Sequence, residues 1–295
     1  MKRTRIVGLC LAAALAVVAF SAMAASSASA GTYYWCKAQK KGEYTTSSCT
    51  TKSVKAKKGT FELQKVEACV AQKKGEYTSS SCTEKSKKAK KGTFEKTTGR
   101  KFTDKTGGAK LATPGLGPSD VECVGSTSSG EITGPTTGTD SVSFTGCTFE
   151  GKKCESVDLF GSGTPSGTPG VIDTNKLDTK LVDHGEKAGG YLKLEPALNE
   201  AWTEVISSQH EPYSSEFICG SEIILRTHGS VSGVDTPVNA APSTTSTTTF
   251  ALGEGEQALL TEVFNGTEFI PSGGAPSTEE TTSTLTNETA IEIKS

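Results

Sequence analysis

Beyond residue 100, the chain alternates between short apolar stretches and clusters of Gly, Pro, Ser, Thr, Asn and Asp. The apolar stretches are rich in β-branched and aromatic residues, and none keeps the period of an amphipathic helix. This pattern is typical of strands separated by turns. It predicts strands at residues 120–124, 141–144, 171–172, 191–194, 222–226, 244–252, 258–264 and 290–294.

Many short strands without a helix favour an all-β fold over an α/β fold. We therefore predict that residues 100–295 form one larger acidic domain, a β-sandwich or a barrel-like domain, which is long enough to bury a hydrophobic core. Within it, the threonine-rich residues 243–249 fit either an exposed strand or a linker.

A tandem repeat precedes this domain. Residues 36–49 recur almost unchanged as residues 69–82, and a Lys-Gly-Thr-Phe-Glu motif follows each copy at the same 33-residue step. Each copy contains Gly-Glu-Tyr-Thr, which alternates polar and aromatic residues after a glycine as a short strand does. A unit below about 40 residues with so few apolar side chains rarely folds without a covalent link. We predict two small disulfide-closed β repeats, at residues 31–66 and 67–99.

The N-terminal residues have the features of a secretory signal peptide. Basic side chains within residues 2–5 precede an uninterrupted apolar stretch at residues 6–20, and small residues follow. Ala-x-Ala cleavage sites end at Ala24 and Ala30, and we favour the second because a polar and aromatic segment follows it. The sequence thus predicts a signal peptide at residues 1–30. It predicts a secreted protein, extracellular or associated with the cell wall, without a transmembrane segment in the mature chain.

An exported chain with an even number of cysteines is expected to form disulfides. Removal of the signal peptide leaves Cys36, Cys49, Cys69, Cys82, Cys123, Cys147, Cys154 and Cys219. Within the repeats we predict the pairs Cys36–Cys49 and Cys69–Cys82, each worth about 3 kcal/mol in the chain-entropy model. The other four cysteines allow three pairings. We favour Cys147–Cys154, whose short separation suits a local link, and consequently Cys123–Cys219.

Charge divides the chain into two parts. Residues 31–99 contain sixteen lysines and six glutamates, whereas residues 100–295 contain twelve basic and twenty-seven acidic residues. Such a basic region either attracts an anionic polymer, such as a cell-wall polymer or polysaccharide, or keeps the region soluble. Aromatic residues are too sparse for a base-stacking platform, so we expect no specific nucleic acid partner. The lysines predicted to contact the polymer are Lys40, Lys41, Lys57, Lys58, Lys73, Lys74, Lys90 and Lys91.

Several short motifs occur in a distinctive order along the mature chain. The tandem Cys-x12-Cys units are followed by Phe-Thr-Gly-Cys at 144–147, Asp-Thr-Asn at 173–175, Leu-x-Leu-x-Pro at 192–196, Phe-x-Cys at 217–219 and Pro-Val-Asn at 237–239. In this order the motifs resemble a group of uncharacterised exported proteins of high-GC Gram-positive bacteria. The resemblance implies an envelope or extracellular setting and supplies no catalytic residue.

The sequence contains no recognisable catalytic motif of the nucleophile-elbow, zinc-protease, Walker or dinucleotide-binding type. His184 and His210 each neighbour a carboxylate, but adjacent residues of an extended segment point to opposite faces. We interpret these two histidines and His228 as surface residues. Glycoside hydrolysis needs only a carboxylate pair, which sequence alone does not single out. A secreted polysaccharide hydrolase using such a pair in residues 100–295 is therefore the alternative hypothesis.

One segment begins like a calcium-binding loop. Asp173 and Asn175 occupy the first and third positions, but Leu177 stands at the fifth, where an oxygen ligand is needed. We interpret the segment as a turn and expect neither a metal nor a cofactor. The sequence as a whole favours a non-catalytic binding or structural protein of the cell envelope.

Overall fold

The structure of the protein is a computed structural model. It describes residues 31–55, 57–67, 69–79, 82, 84–88, 91–96, 99–113, 115–116, 120–157, 167–182, 201–207, 213–221, 223–251, 257–273 and 277–295. The predicted signal peptide at residues 1–30 and the predicted strand at residues 191–194 lie outside this described part. Within it, no helix is long and apolar enough to cross a membrane.

The described residues form strands and no helix, as the sequence predicts. In chain order the strands are β1 (Thr32–Gly42), β2 (Gly59–Lys65), β3 (Cys69–Gly75), β4 (Gly92–Lys96), β5 (Arg100–Ala112), β6 (Val121–Cys123), β7 (Gly125–Ile132), β8 (Thr137–Asp140), β9 (Val142–Thr145), β10 (Thr148–Phe149), β11 (Lys152–Ser156), β12 (Val171–Asp173), β13 (Leu177–Val182), β14 (Ala201–Ser207), β15 (Ser215–Cys219), β16 (Ile223–His228), β17 (Ser230–Thr236), β18 (Ser243–Phe250), β19 (Leu260–Phe264), β20 (Phe269–Pro271) and β21 (Thr278–Lys294). Apart from residues 191–194, every predicted strand overlaps one of these, and the threonine-rich segment is the strand β18.

Eight antiparallel strands close into a barrel. Their order is β21, β5, β7, β8, β13, β14, β17 and β18, and β18 pairs with β21 to complete the ring. Closure leaves none of these strands as an open edge. The all-β fold with a barrel-like domain is thus confirmed.

The barrel interior is apolar at one end and polar further in. Along β21, Thr281, Ser283, Asn287, Ile291 and Ile293 are buried, while the residues between 281 and 287 in the alternate register are exposed. Because side chains alternate between the two faces of a strand, the buried set points inward. The apolar end is a cluster of Tyr33, Val66, Phe102, Ile132, Leu181, Ala201, Ile291 and Ile293.

A second sheet extends from the barrel and carries a separate core. It contains β11, β15, β16, β19 and β20. It joins the barrel because β11 pairs with β10, β10 pairs with β6, and β6 pairs with the barrel strand β5. Its buried side chains are Val121, Cys147, Phe149, Cys154, Ile172, Phe217, Cys219 and Leu225.

The structure corrects the predicted disulfide pairing of the larger domain. The bonds are Cys123–Cys147 and Cys154–Cys219, not Cys147–Cys154 and Cys123–Cys219. All four cysteines lie side by side in one row, on strands β6, β11 and β15 and, for Cys147, on the residue just before β10. Strands are about 4.8 Å apart, so the outer two cysteines are about 14 Å apart. A bond between the middle two would therefore leave the outer two too far apart to pair.

Both repeats are inserted into one barrel strand, whose two parts are the start of β1 and β5. The first residues of β1 pair with the end of β21, up to Trp35 opposite Ile291. Further along the same edge of β21, the pairing strand is β5, with Phe102 opposite Asn287. Joined directly, Trp35 and Gly99 would continue one strand in register. Residues 36–98, which we call the insertion, therefore leave and re-enter the barrel wall at one point, and β1 belongs partly to the barrel.

Side-chain and backbone contacts hold the insertion where it leaves and re-enters the barrel wall. The Arg100 guanidinium lies 3.6 Å from the centre of the Trp35 ring, a geometry typical of a cation–π contact. Burial lowers the pKa of Arg100, and the nearby Glu131 carboxylate opposes this effect. Val66, between the repeats, is buried in the apolar end of the barrel, and its N–H donates to the Tyr33 carbonyl over 2.9 Å. These contacts anchor the insertion to the barrel.

Candidate functional site

The two repeats adopt the same hairpin. β1 pairs with β2 in the first copy and β3 with β4 in the second, with a register irregularity at the same place. In both copies the tyrosine N–H donates to the phenylalanine carbonyl over 2.9 Å, from Tyr44 to Phe61 and from Tyr77 to Phe94. The predicted bonds Cys36–Cys49 and Cys69–Cys82 are both present. The sequence repeat is therefore a structural repeat.

Close backbone crossing explains the repeated glycines. Gly42 lies opposite Gly59, and Gly75 lies opposite Gly92. A Cβ atom at Gly42 would overlap the carbonyl of Phe61, and one at Gly75 would overlap the equivalent carbonyl of the second copy. Only glycine lets the two strands approach this closely.

The glycine pairing brings the predicted lysines together. Lys41 precedes Gly42 and Lys58 precedes Gly59, so the pairing places both dilysine segments of the repeat at the same crossing. The described members of this lysine cluster are Lys40, Lys41, Lys57 and Lys58 in the first repeat and Lys73, Lys74 and Lys91 in the second, and all are exposed. Lys90 lies outside the described residues. Within the described part of the chain, no ion pair involves any of them.

One glutamate side chain of each repeat binds a backbone N–H group. The Glu62 carboxylate accepts a hydrogen bond from the Glu43 N–H over 3.0 Å, and Glu95 accepts the equivalent bond from Glu76. Another lysine of each repeat covers the tyrosine, with Lys52 Nζ 5.9 Å from the Tyr44 ring centre. Stabilising contacts thus involve the cysteines, glycines, tyrosines and glutamates. The lysine cluster is left as uncompensated positive charge.

The differences between the copies spare the lysine cluster. From Cys36 to Glu62 and from Cys69 to Glu95, the copies differ only at Lys37/Val70, Thr46/Ser79, Thr51/Glu84 and Val54/Lys87. The last replacement gives the second copy a further lysine at a fully exposed position, since Val54 is 103% exposed. Duplication has kept the charged surface together with the fold.

The barrel holds a second candidate site, a cavity of about 170 Å³ that we call the interior cavity. Carboxyl groups from several strands line it, among them Asp104, Asp140 and Glu279. Burial raises the pKa of Asp140 to about 6 and that of Glu279 to about 7, and the Asp104 charge raises both further. Burial also raises the pKa of Asp104, although a hydrogen bond from Ser283 opposes this. These carboxyl groups therefore act on one another inside the barrel.

Asp235 is held more tightly by hydroxyl groups. Thr248 Oγ1 donates to Asp235 Oδ1 over 2.7 Å, and Thr203 Oγ1 donates to Oδ2 over 2.8 Å. Burial nevertheless raises the pKa of Asp235 to about 7, because two neutral donors only partly replace water. Tyr33 lies close by, and burial followed by the Asp235 charge raises the pKa of its hydroxyl.

Of the three histidines, the structure describes His228. His184 and His210 lie outside the described residues. His228 is half-buried, with Nε2 3.7 Å from Glu262 Oε1, while Arg226 binds the other oxygen of Glu262 over 2.6 Å. The glutamate is thus engaged by an arginine. In the predicted turn, the Asn175 side chain donates to the Tyr213 carbonyl over 3.1 Å.

No known protein-family model and no curated protein matches this chain. Function is therefore inferred from the lysine cluster and the interior cavity themselves. The lysine cluster could be predicted from the sequence because its residues recur in both repeats. The interior cavity could not, because inward-facing Ser, Thr and Asp residues on polar strands resemble surface positions.

Proposed function

We propose that this is a secreted, non-catalytic protein of the cell envelope whose two lysine-rich repeats bind an anionic envelope polymer. The observation that carries the proposal is the lysine cluster: exposed in both copies, brought together by the glycine crossing, and without an ionic partner among the described residues. Four disulfides suit an oxidising, exported setting.

Duplication strengthens such binding. One cluster of exposed lysines gains only modest Coulomb energy from each contact in water. Two linked clusters on one polymer convert the second contact into an intramolecular event, which raises overall affinity without any new type of contact. A polymer with regularly spaced phosphate or carboxylate groups suits two copies of one surface.

The alternative hypothesis, a secreted polysaccharide hydrolase, receives less support. The carboxyl groups that the structure brings together lie inside the barrel. Their cavity of about 170 Å³ is smaller than the ~300–1,000 Å³ typical of ligand pockets, and a polysaccharide chain needs an open cleft.

The test is a salt series of binding to purified wall teichoic acid, with neutral dextran as the control polymer. The chain from residue 31 is compared with a variant carrying glutamine at Lys40, Lys41, Lys57 and Lys58. If all four lysines contact phosphates, the plot of log affinity against log salt should be less steep for the variant than for the parent, by roughly 3 in the magnitude of its slope. Circular dichroism checks that the variant is folded.

A matched control replaces the same number of exposed barrel lysines, Lys101, Lys105, Lys176 and Lys180, by glutamine. Both variants lose four positive charges, so net charge alone predicts equal loss. The proposal requires the barrel variant to bind nearly as the parent does. Equal loss in both variants, or no teichoic acid binding by the parent at low salt, would overturn it.

A further inference from the structure

The interior cavity contains a buried polar atom that has no hydrogen-bond partner among the described residues. This atom is Asp104 Oδ1. Asn287 is 7% exposed and lines the same cavity. Both positions belong to the inward-facing register of paired strands, with Phe102 opposite Asn287 and Asp104 opposite Leu285. Buried polar atoms in folded proteins normally have partners, so the unpaired Asp104 Oδ1 indicates space for one.

The carboxyl groups of the cavity have no basic partner among the described lining residues. Asp104, Asp140, Asp235 and Glu279 all line it. The one lysine in its lining, Lys110, forms an ion pair with Asp120 over 2.7 Å, and the described lining contains no arginine. Burial without a countercharge favours the protonated form of these carboxyl groups, and a bound cation would favour the ionised form.

The walls favour an organic cation over a metal ion. Aromatic rings of Tyr33, Phe102 and Phe144 line the same cavity. Such rings attract an ammonium group through their faces and accept the alkyl part of an amine. Among the described residues, no three His, Cys, Asp or Glu side chains are placed to hold a metal ion.

The cavity has a mouth and a definite size. Three of its lining residues, Pro237, Ala241 and Thr245, are exposed, and the register of β18 on β21 shifts between Ser243 and Thr245. This mouth is near Asn287, since Thr245 pairs with Thr286. A cavity of about 150 Å³ holds a benzene molecule, so about 170 Å³ holds a ligand of roughly six to eight heavy atoms.

We propose that the barrel interior is a binding site for a small organic ammonium ion, with Asp104 and Asn287 as its polar contacts and the aromatic walls around its alkyl part. The site is separate from the lysine cluster, which carries the opposite charge. The barrel would thus bind a small cation while the repeats hold a polyanion.

The experiment is isothermal titration calorimetry of the chain from residue 31 with putrescine and with choline. It is run at about pH 8, above the pKa of about 7 that burial gives Asp235 and Glu279. The diol analogue of putrescine and the neutral carbon isostere of choline are the ligand controls. We expect saturable binding of one amine at one site, and no binding of its neutral analogue.

Variants locate the site. Asp104→Asn should weaken amine binding about tenfold or more, because it removes a buried charge-assisted hydrogen bond. Glu288→Gln is the matched control, since this exposed residue adjoins Asn287 on the opposite face of β21. It should bind as the parent does. Asn287→Ala is a second test of the cavity, and thermal melting verifies that each variant folds.

Four results would overturn the proposal. One is the absence of binding of either amine at millimolar concentration. Another is equal weakening by Asp104→Asn and Glu288→Gln, which would indicate diffuse surface charge. The third is equal binding of the neutral analogues, which would indicate an apolar void. The last is displacement of the amine by calcium at lower concentration, which would indicate a metal site.

Discussion

In the repeats, a disulfide and a close glycine crossing hold each short hairpin, whereas in the barrel eight strands close on themselves around buried clusters. The repeat fold therefore depends on a few residue types and leaves most of its surface free. The barrel instead places polar side chains inside, where they cost stability. Because of this difference, we expect the binding surface of the repeats to lie on their outside and that of the barrel to lie in its interior.

The largest expected effect comes from the disulfide of the second sheet. Cys154 and Cys219 are fully buried and close a long loop, so their replacement by alanine should cost about 4 kcal/mol of unfolding free energy. Because the bond lies within a packed core, the loss should lower the midpoint of the whole urea transition. A change confined to local amides, with an unchanged midpoint, would contradict this.

A smaller and local effect is expected in the second repeat. Replacing Cys69 and Cys82 by serine removes a link worth about 3 kcal/mol from a unit with almost no core. Amide hydrogen exchange should lose protection in β3 and β4 only, while the barrel keeps its melting temperature. The same replacement of Cys36 and Cys49 is the comparison, and the part of β1 paired with β21 should stay protected. If the barrel melts earlier in the second-repeat variant, the two regions are not independent.

A smaller effect still, and one of opposite sign, is expected inside the barrel. The pKa of Asp235 is raised from 3.8 to about 7, so the folded state holds a proton that the unfolded state releases. Stability should therefore fall as pH rises from about 4 to about 7, and Asp140 and Glu279 act in the same direction. Asp235→Asn should raise unfolding free energy by about 2 kcal/mol at pH 8 and change it little at pH 4.

Urea unfolding at both pH values measures this effect, with the exposed Glu288→Gln as the control variant. The replacement keeps a side chain that can bond to Thr203 and Thr248, so the hydrogen bonds are largely conserved. A destabilised variant at pH 8, or an unchanged pH profile, would show that Asp235 is ionised and satisfied in the folded barrel.

Sequence patterns predicted the elements with apolar residues and missed those without them. Residues 120–124 and 258–264 stood out as strands because their apolar residues lie between turn signals. Strand β7, Gly-Ser-Thr-Ser-Ser-Gly-Glu-Ile, did not, since its inward positions are Ser126 and Ser128. A barrel with a polar interior weakens the alternation that marks a half-buried strand.

Pairing over long distances was also beyond the sequence. The repeat disulfides followed from their local spacing, but the row of four cysteines depends on the neighbours of each strand. Likewise, only the register of β1 and β5 on β21 reveals that the insertion interrupts one strand. The lysine cluster was found because it is duplicated, and the interior cavity was not, because its residues are scattered along the chain.

The central claim is that the repeats bind the polymer and that the barrel folds without them. It is tested most directly by deleting residues 36–98 and joining Trp35 to Gly99. The fusion restores a continuous strand opposite β21, at the cost of about 2 kcal/mol for losing the buried Val66. We predict that the shortened protein melts cooperatively as a β fold and no longer binds wall teichoic acid at low salt. Loss of the cooperative transition, or teichoic acid binding as strong as that of the parent, would contradict the account.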